Sequence, residues 1–258
     1  METIGIIAAM TQECKVLLRC VEERERTALG PFRCYRFQLS DRNCLLVKSG
    51  IGLKRAMDAT RALLAATRPQ FLVSFGVAGA ARDDLQIGDV IVASHTCLLE
   101  KGIQSQLQRL APLSDAARHA VTQVLEQRGA RLVSGTAVTT RMSHAAQLHP
   151  KEMAHPVLDM ETAGIAQVAA EQGIALMALR AVSNGPRAPL PFDLEAMTDE
   201  DFNLDIGKII KTVLRHPHVM LQSQRIVRNV EKAAENAAIA LVAALGQPLP
   251  VLSPCNSP

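Results

Sequence analysis

A chain of 258 residues with 48% hydrophobic and 21% charged side chains is long enough to bury a core and too apolar to remain disordered. Its 28 basic and 25 acidic residues leave a net charge of only +3, and one Tyr, six Phe and no Trp supply few rings, so composition offers no basis for binding nucleic acid or a membrane surface. The six cysteines (Cys14, Cys20, Cys34, Cys44, Cys97 and Cys255) form no CxxC pair and have no His beside them at ligand spacing, so neither a metal nor another cofactor is expected.

The opening METIGIIAAM lacks a basic leader, and no run of about 18 apolar residues is present to span a bilayer. A cytoplasmic protein with reduced thiols is the expectation. Ile4 to Met10 reads as a strand, and the polar stretch Thr11 to Glu25 as helix-compatible. Arg33 to Leu39 and Cys44 to Ser49 read as strands around a turn of Ser40, Asp41, Arg42 and Asn43. Ser49-Gly50-Ile51-Gly52 opens an Ala-rich helix from Leu53 to Thr67. Phe71 to Phe75 reads as a buried strand ending in the small-residue turn Gly76-Val77-Ala78-Gly79-Ala80, and Val90 to Ala93 as another strand.

Further on, Ser114 is a suitable N-cap for a helix from Asp115 to Gln127, and Gly129 ends it. Arg131 to Ser134 reads as a strand, 137–156 as a loop with a short helix, and Val157 to Met160 as a short strand. Thr162 to Gln172 is predicted helical up to Gly173, Ile174 to Val182 is a buried strand, and the chain from Asp205 onward is mostly helical. Strands alternating with helices predict an α/β fold, a single domain over 1–246 with a central mixed sheet flanked by helices and a disordered tail over 247–258.

In such folds ligands sit at the carboxyl ends of strands, here Ala9 to Glu13, Gly76 to Ala80, Asp159 to Glu161 and Ser183 to Arg187. Glu13, at the start of a helix, is either a solvated first-turn acid or a general base. Asp159-Met160-Glu161-Thr162 delivers two acids just before a helix, either as caps or as a grip on sugar hydroxyls with Met160 under an apolar face. Arg180 lies in an otherwise apolar strand and needs a carboxylate partner, which Glu161 or Asp159 could supply. His144, His149 and His155 match no metal spacing.

Read together, six segments resemble the nucleoside phosphorylase and nucleosidase family that includes methylthioadenosine/S-adenosylhomocysteine nucleosidase. They are Ile4 to Glu13, Ser49-Gly50-Ile51-Gly52, Gly76 to Ala80, Gly88-Asp89-Val90, Asp159-Met160-Glu161 and Arg180-Ala181-Val182-Ser183-Asn184, in the family's order over roughly 4–215. Leu190-Pro191-Phe192, the Arg215-His216-Pro217 region, Val77 and the long helical tail are most similar to a hopanoid-associated branch that removes adenine from adenosylhopane.

The resemblance implies a partly barrel-like sheet, a purine nucleoside as substrate, and cleavage of its N-glycosidic bond through an oxocarbenium-like transition state. It implies Glu161 on the ribose, Met160 beneath the sugar, Glu13 on the nucleophile, and Asn184 facing the leaving base. Gly76, Val77, Ala78, Ser183 and Arg180 would line the substrate, and Val138 and Val157 the purine. It also implies a homo-oligomer, here a dimer. Two residues depart from the pattern. Asn184 stands where nucleosidases place a proton-donating Asp, and an amide can only hydrogen-bond, so Asp193 is a second candidate acid. Val77 replaces a hydroxyl residue that touches phosphate or water. These departures favour water over phosphate as nucleophile, although the amides of Gly50 to Gly52 and Gly76 to Gly79 could cradle an anion. A methylthioadenosine nucleosidase, a general purine nucleoside phosphorylase and a non-catalytic nucleoside binder are the alternatives.

Overall fold

The structure is a computed structural model that describes residues 2–140, 153–186 and 218–249. Its elements are β1 (Thr3–Ala8), α1 (Thr11–Arg19), β2 (Arg24–Leu29), β3 (Phe32–Leu39), β4 (Arg42–Lys48), α2 (Leu53–Ala66), β5 (Phe71–Ala80) and β6 (Val90–Glu100). Then follow β7 (Ile103–Gln104), β8 (Gln108–Arg109), α3 (Asp115–Glu126), β9 (Leu132–Thr140), β10 (Pro156–Asp159), α4 (Thr162–Glu171), β11 (Ala175–Asn184) and α5 (His218–Leu245).

The strands form one mixed sheet in the order β10-β9-β6-β11-β5-β1-β4-β3-β2. β10 also pairs antiparallel with β5, which closes β5, β11, β6, β9 and β10 into a five-stranded barrel. β1 lies parallel to both β4 and β5, and β11 parallel to β5, whereas β6 and β11 run antiparallel. Successive residues of the central strands point to opposite faces, so Ile4, Ile6 and Val73 join a core with α1, α3 and α5, while Ile7 and Leu72 join another with α2 and α4. Both faces are therefore covered, which is why these strands read as unbroken apolar runs. Alanines carry the contact of α5: Ala233, Ala234, Ala237, Ala238 and Ala240 are all fully buried.

Several boundaries differ from the sequence expectation. The helix after β1 ends at Arg19, and Arg24–Leu29 forms the edge strand β2. Its RERTAL sequence has no apolar face because an edge strand is paired on one side only and largely exposed. Gly76 to Ala80 is not a turn: β5 continues through Ala80 because β11 and β10 offer it hydrogen-bonding partners. For the same reason Ala137–Thr140 is strand rather than loop, and Ser183 and Asn184 end β11 beyond a bulge rather than forming a turn.

Ser114 caps α3 as expected, accepting the Ala117 N–H at 3.3 Å. Its hydroxyl donates to the Pro248 carbonyl at 2.8 Å, and Leu249 packs on the core, so the described start of the tail is held rather than loose. Helix is seen over His218–Leu245 of the predicted helical tail. His144, His149, Leu190-Pro191-Phe192, Asp193, Arg215-His216-Pro217 and residues 250–258 lie outside the described residues.

Candidate active site

Glu13 is drawn into the protein by the turn between β1 and α1. It is only 2% exposed, and its Oε2 accepts the Met10 N–H at 2.8 Å while Oε1 accepts the Val77 N–H at 2.9 Å. The solvated first-turn acid is thereby ruled out. Burial pushes its pKa above the ordinary value, against the opposing pull of the Arg180 charge and the amide donors. Gly76 makes this approach possible. A methyl group built on it would overlap Glu13 Oε1 and come within 2.6 Å of Arg180 Nη1. Gly76→Ala is expected to cost about 1–3 kcal/mol and to displace the Glu13 carboxylate, read as a lower thermal midpoint together with lost activity. A variant with wild-type rate and stability would show that the contact carries nothing.

The two acids of the Asp159-Met160-Glu161 segment separate into different tasks. Asp159 ends β10, and its carboxylate accepts the Thr139 hydroxyl at 2.6 Å, the Glu161 and Thr162 amides at 3.3 Å, the Thr162 hydroxyl, and Arg180 Nε at 2.9 Å. It is thus both the cap of α4 and the partner that Arg180 requires. Arg180, 1% exposed, also donates Nη2 to the hydroxyls of Ser74 (2.7 Å) and Thr162 (2.9 Å). Its side chain is committed to this buried network more than to a ligand.

Glu161 begins α4, and its Oε1 accepts the Gly52 N–H at 2.9 Å and Oε2 the Met160 N–H at 3.3 Å. Burial, followed by the negative charge of Asp159, pushes its pKa up to about 7. Glu13 raises it further, which places the two carboxylates within electrostatic reach of each other. One cation, Arg180, thus faces three buried acids.

Asn184 is half-buried and lies over Gly79, with Nδ2 at 3.0 Å from the position a Cβ would take there. Its Oδ1 accepts the Ser183 hydroxyl at 3.1 Å, and that hydroxyl also donates to the Ala78 carbonyl at 3.2 Å. This leaves the Asn184 amide group with no protein acceptor among the described residues. Met160 and Val77 are half-buried and Ala78 is buried. Val138 is fully buried in a cluster with Cys97, Leu99 and Met153, on the face of β9 opposite to that on which Thr139 meets Asp159. Val157 likewise packs with Ala78, Ala80, Ile91 and Val182.

Three residues of the network had no assigned role in the sequence reading. Ser74 interrupts the apolar FLVSF run as Arg180 interrupts its own strand, and that shared oddity was the signal available. Thr162 stood in the acidic segment, and Thr139 in a stretch read as loop. Among the described residues no group of three or more His, Cys, Asp or Glu could hold a metal, and no helix is long and apolar enough to cross a membrane.

The arrangement can hold a diol on Glu161, place a nucleophile at Glu13 and hydrogen-bond a planar group at Asn184. Comparison with known proteins points the same way. The chain is 26% identical over 197 residues to a 5′-methylthioadenosine/S-adenosylhomocysteine nucleosidase of Haemophilus influenzae, covering 70% of this chain and 86% of the relative. It is 25% identical over 245 residues to one from Geobacillus, covering 89% and 99%. The solved structure of such a nucleosidase from Colwellia psychrerythraea in complex with adenine superposes with a TM-score of 0.70 at 20% identity, over 96% of this chain and 98% of the other. The phosphorylase superfamily model matches residues 3–215, and the chain belongs to that family as an enzyme that cleaves glycosidic bonds.

Proposed function

We propose that the protein cleaves the N-glycosidic bond of a purine nucleoside and releases adenine. The observation that carries this reading is the pair of buried carboxylates, Glu13 and Glu161, each clamped by two backbone amides and each under the influence of the Arg180 charge. The C1′–N9 bond breaks with its electron pair leaving on the base, and the ribose ring takes up positive charge. Glu161 holds the ribose hydroxyls and faces that charge, which a preorganised anion in a dry site stabilises strongly. Met160 packs beneath the sugar. Glu13 orients the nucleophile and accepts its proton as the bond to C1′ forms. The Asn184 amide hydrogen-bonds the departing base without protonating it, and the base takes up a proton from solvent to leave as neutral adenine.

Three of the amides that could cradle an anion are already taken: Gly50 N–H by the Ala9 carbonyl, Gly52 by Glu161 and Val77 by Glu13. This supports water as the nucleophile. The substrate we infer is adenosylhopane, on the similarity to the hopanoid-associated branch and on the apolar Val77 beside Glu13. A dimer is part of the reading, supported by the exposed Ile103 and Leu107, and a cytoplasmic setting fits five unbridged cysteines.

The test is chromatographic assay of free adenine from adenosylhopane, methylthioadenosine and adenosine, with and without phosphate. Release from adenosylhopane without phosphate is expected. Release only from methylthioadenosine would move the substrate, a phosphate requirement would replace water, and no release from any would overturn the proposal. Asn184→Asp tests the leaving group. Supplying a proton donor is expected to raise the rate, by up to about 10²–10⁴-fold, with the gain confined to pH values at which the acid is protonated. A fall in rate would mean the amide itself is suited to the base.

A further inference from the structure

A second cavity, of about 290 Å³, opens between β6, β8, β9 and α3 and shares no residue with the Glu13–Glu161 site. It draws its polar groups from four elements: Ser94 and His95 from β6, Arg109 from β8, Arg118 from α3 and Ser134 from β9. The ladder explains the convergence. His95 is the register partner of Arg109, Val92 that of Ser134, and the β6–β9 register shifts between Ala93 and His95, so Ser94 falls at a bulge. Buried Val92 and Leu110 form an apolar floor.

No carboxylate lines this cavity. Neither Arg109 nor Arg118 makes an ion pair or side-chain hydrogen bond among the described residues. Asp115, three residues before Arg118 on α3, is exposed and forms no ion pair with it. The Ser134 hydroxyl likewise has no partner among the described residues, while Ser94 donates to the Gly135 carbonyl at 3.1 Å and meets His95 Nδ1 at 3.1 Å. Two arginines from different elements, the exposed Arg109 and the half-buried Arg118, line one cavity together with the Ser134 hydroxyl, and guanidinium groups suit an oxyanion with several acceptor atoms.

We propose that this cavity is a binding site for phosphate or a phosphate monoester, separate from the catalytic centre. The volume lies at the small end of ligand sites, enough for a phosphate and a few attached carbons.

Calorimetric titration of the full-length protein with inorganic phosphate, and separately with glycerol phosphate, tests it. Saturable binding is expected, with Arg118→Ala and Arg109→Ala each weakening it by about 10–100-fold. Tighter binding of glycerol phosphate would identify a monoester as the ligand, and equal or weaker binding free phosphate. Glu161→Gln and Glu13→Gln are expected to leave the affinity unchanged. Arg118→Gln, with its thermal midpoint measured beside wild type, replaces the alanine variant should that fail to fold. No heat at millimolar ligand, binding indifferent to both arginines, or binding lost with the glutamate variants would each overturn the proposal.

Discussion

Replacing Glu161 with Gln is expected to lower kcat for adenine release by about 10²–10⁴-fold while adenine itself still binds. The carboxylate is held by the Gly52 and Met160 amides with no freedom to reorganise, and its charge matters most when the ribose is cationic. The same substitution carries a second readout. Glu161 has a folded-state pKa of about 7 against an ordinary 4.5, so the folded protein holds a proton that the unfolded chain releases between those values. Stability therefore falls as pH rises from about 4.5 through about 7, and the full penalty applies above. Glu161→Gln removes that penalty. Its thermal midpoint is expected to exceed that of wild type at pH 8, by at most about 3 kcal/mol of stability, and to match it near pH 4. A variant of wild-type rate would remove Glu161 from the chemistry, and one with no pH-dependent gain would remove the buried charge as a cost.

Arg180→Ala is expected to be the most destabilising single change in the site, by about 3–5 kcal/mol. The side chain is 1% exposed and neutralises Asp159 directly, and it lowers the pKa of both Glu13 and Glu161. Without it three buried acids face one another, and Ser74 loses its donor. Thermal unfolding should show a fall on the order of 10 °C at pH 8. The deficit should shrink as the pH drops and the acids are protonated, since repulsion then disappears. A small loss, or one independent of pH, would mean the network is not held by charge.

The central strands, the helix positions and the stop at Gly173 could be read from the chain alone, because apolar periodicity and turn chemistry act over a few residues. Glu13, Glu161 and Asn184 stood out as polar groups after strand ends, and the structure buries both acids. Two features were not legible: that Gly76–Ala80 is strand and that RERTAL is an edge strand. The first depends on β11 and β10, far along the chain, supplying the hydrogen bonds, and the second on β3 pairing with an exposed polar segment that carries no apolar face of its own.

The division between Asp159 and Glu161 shows the same limit. Sequence determined that two acids and an arginine would have to be reconciled in a buried place, since an unpaired charge there is too costly. Only the pairing of β10 with β9 decided which acid takes the arginine, because it sets Asp159 against Thr139, where Arg180 of β11 reaches it, and leaves Glu161, two residues later at the head of α4, facing Gly52. Local propensity specifies elements within a few residues. Pairing between strands apart in sequence specifies which side chains share a cavity.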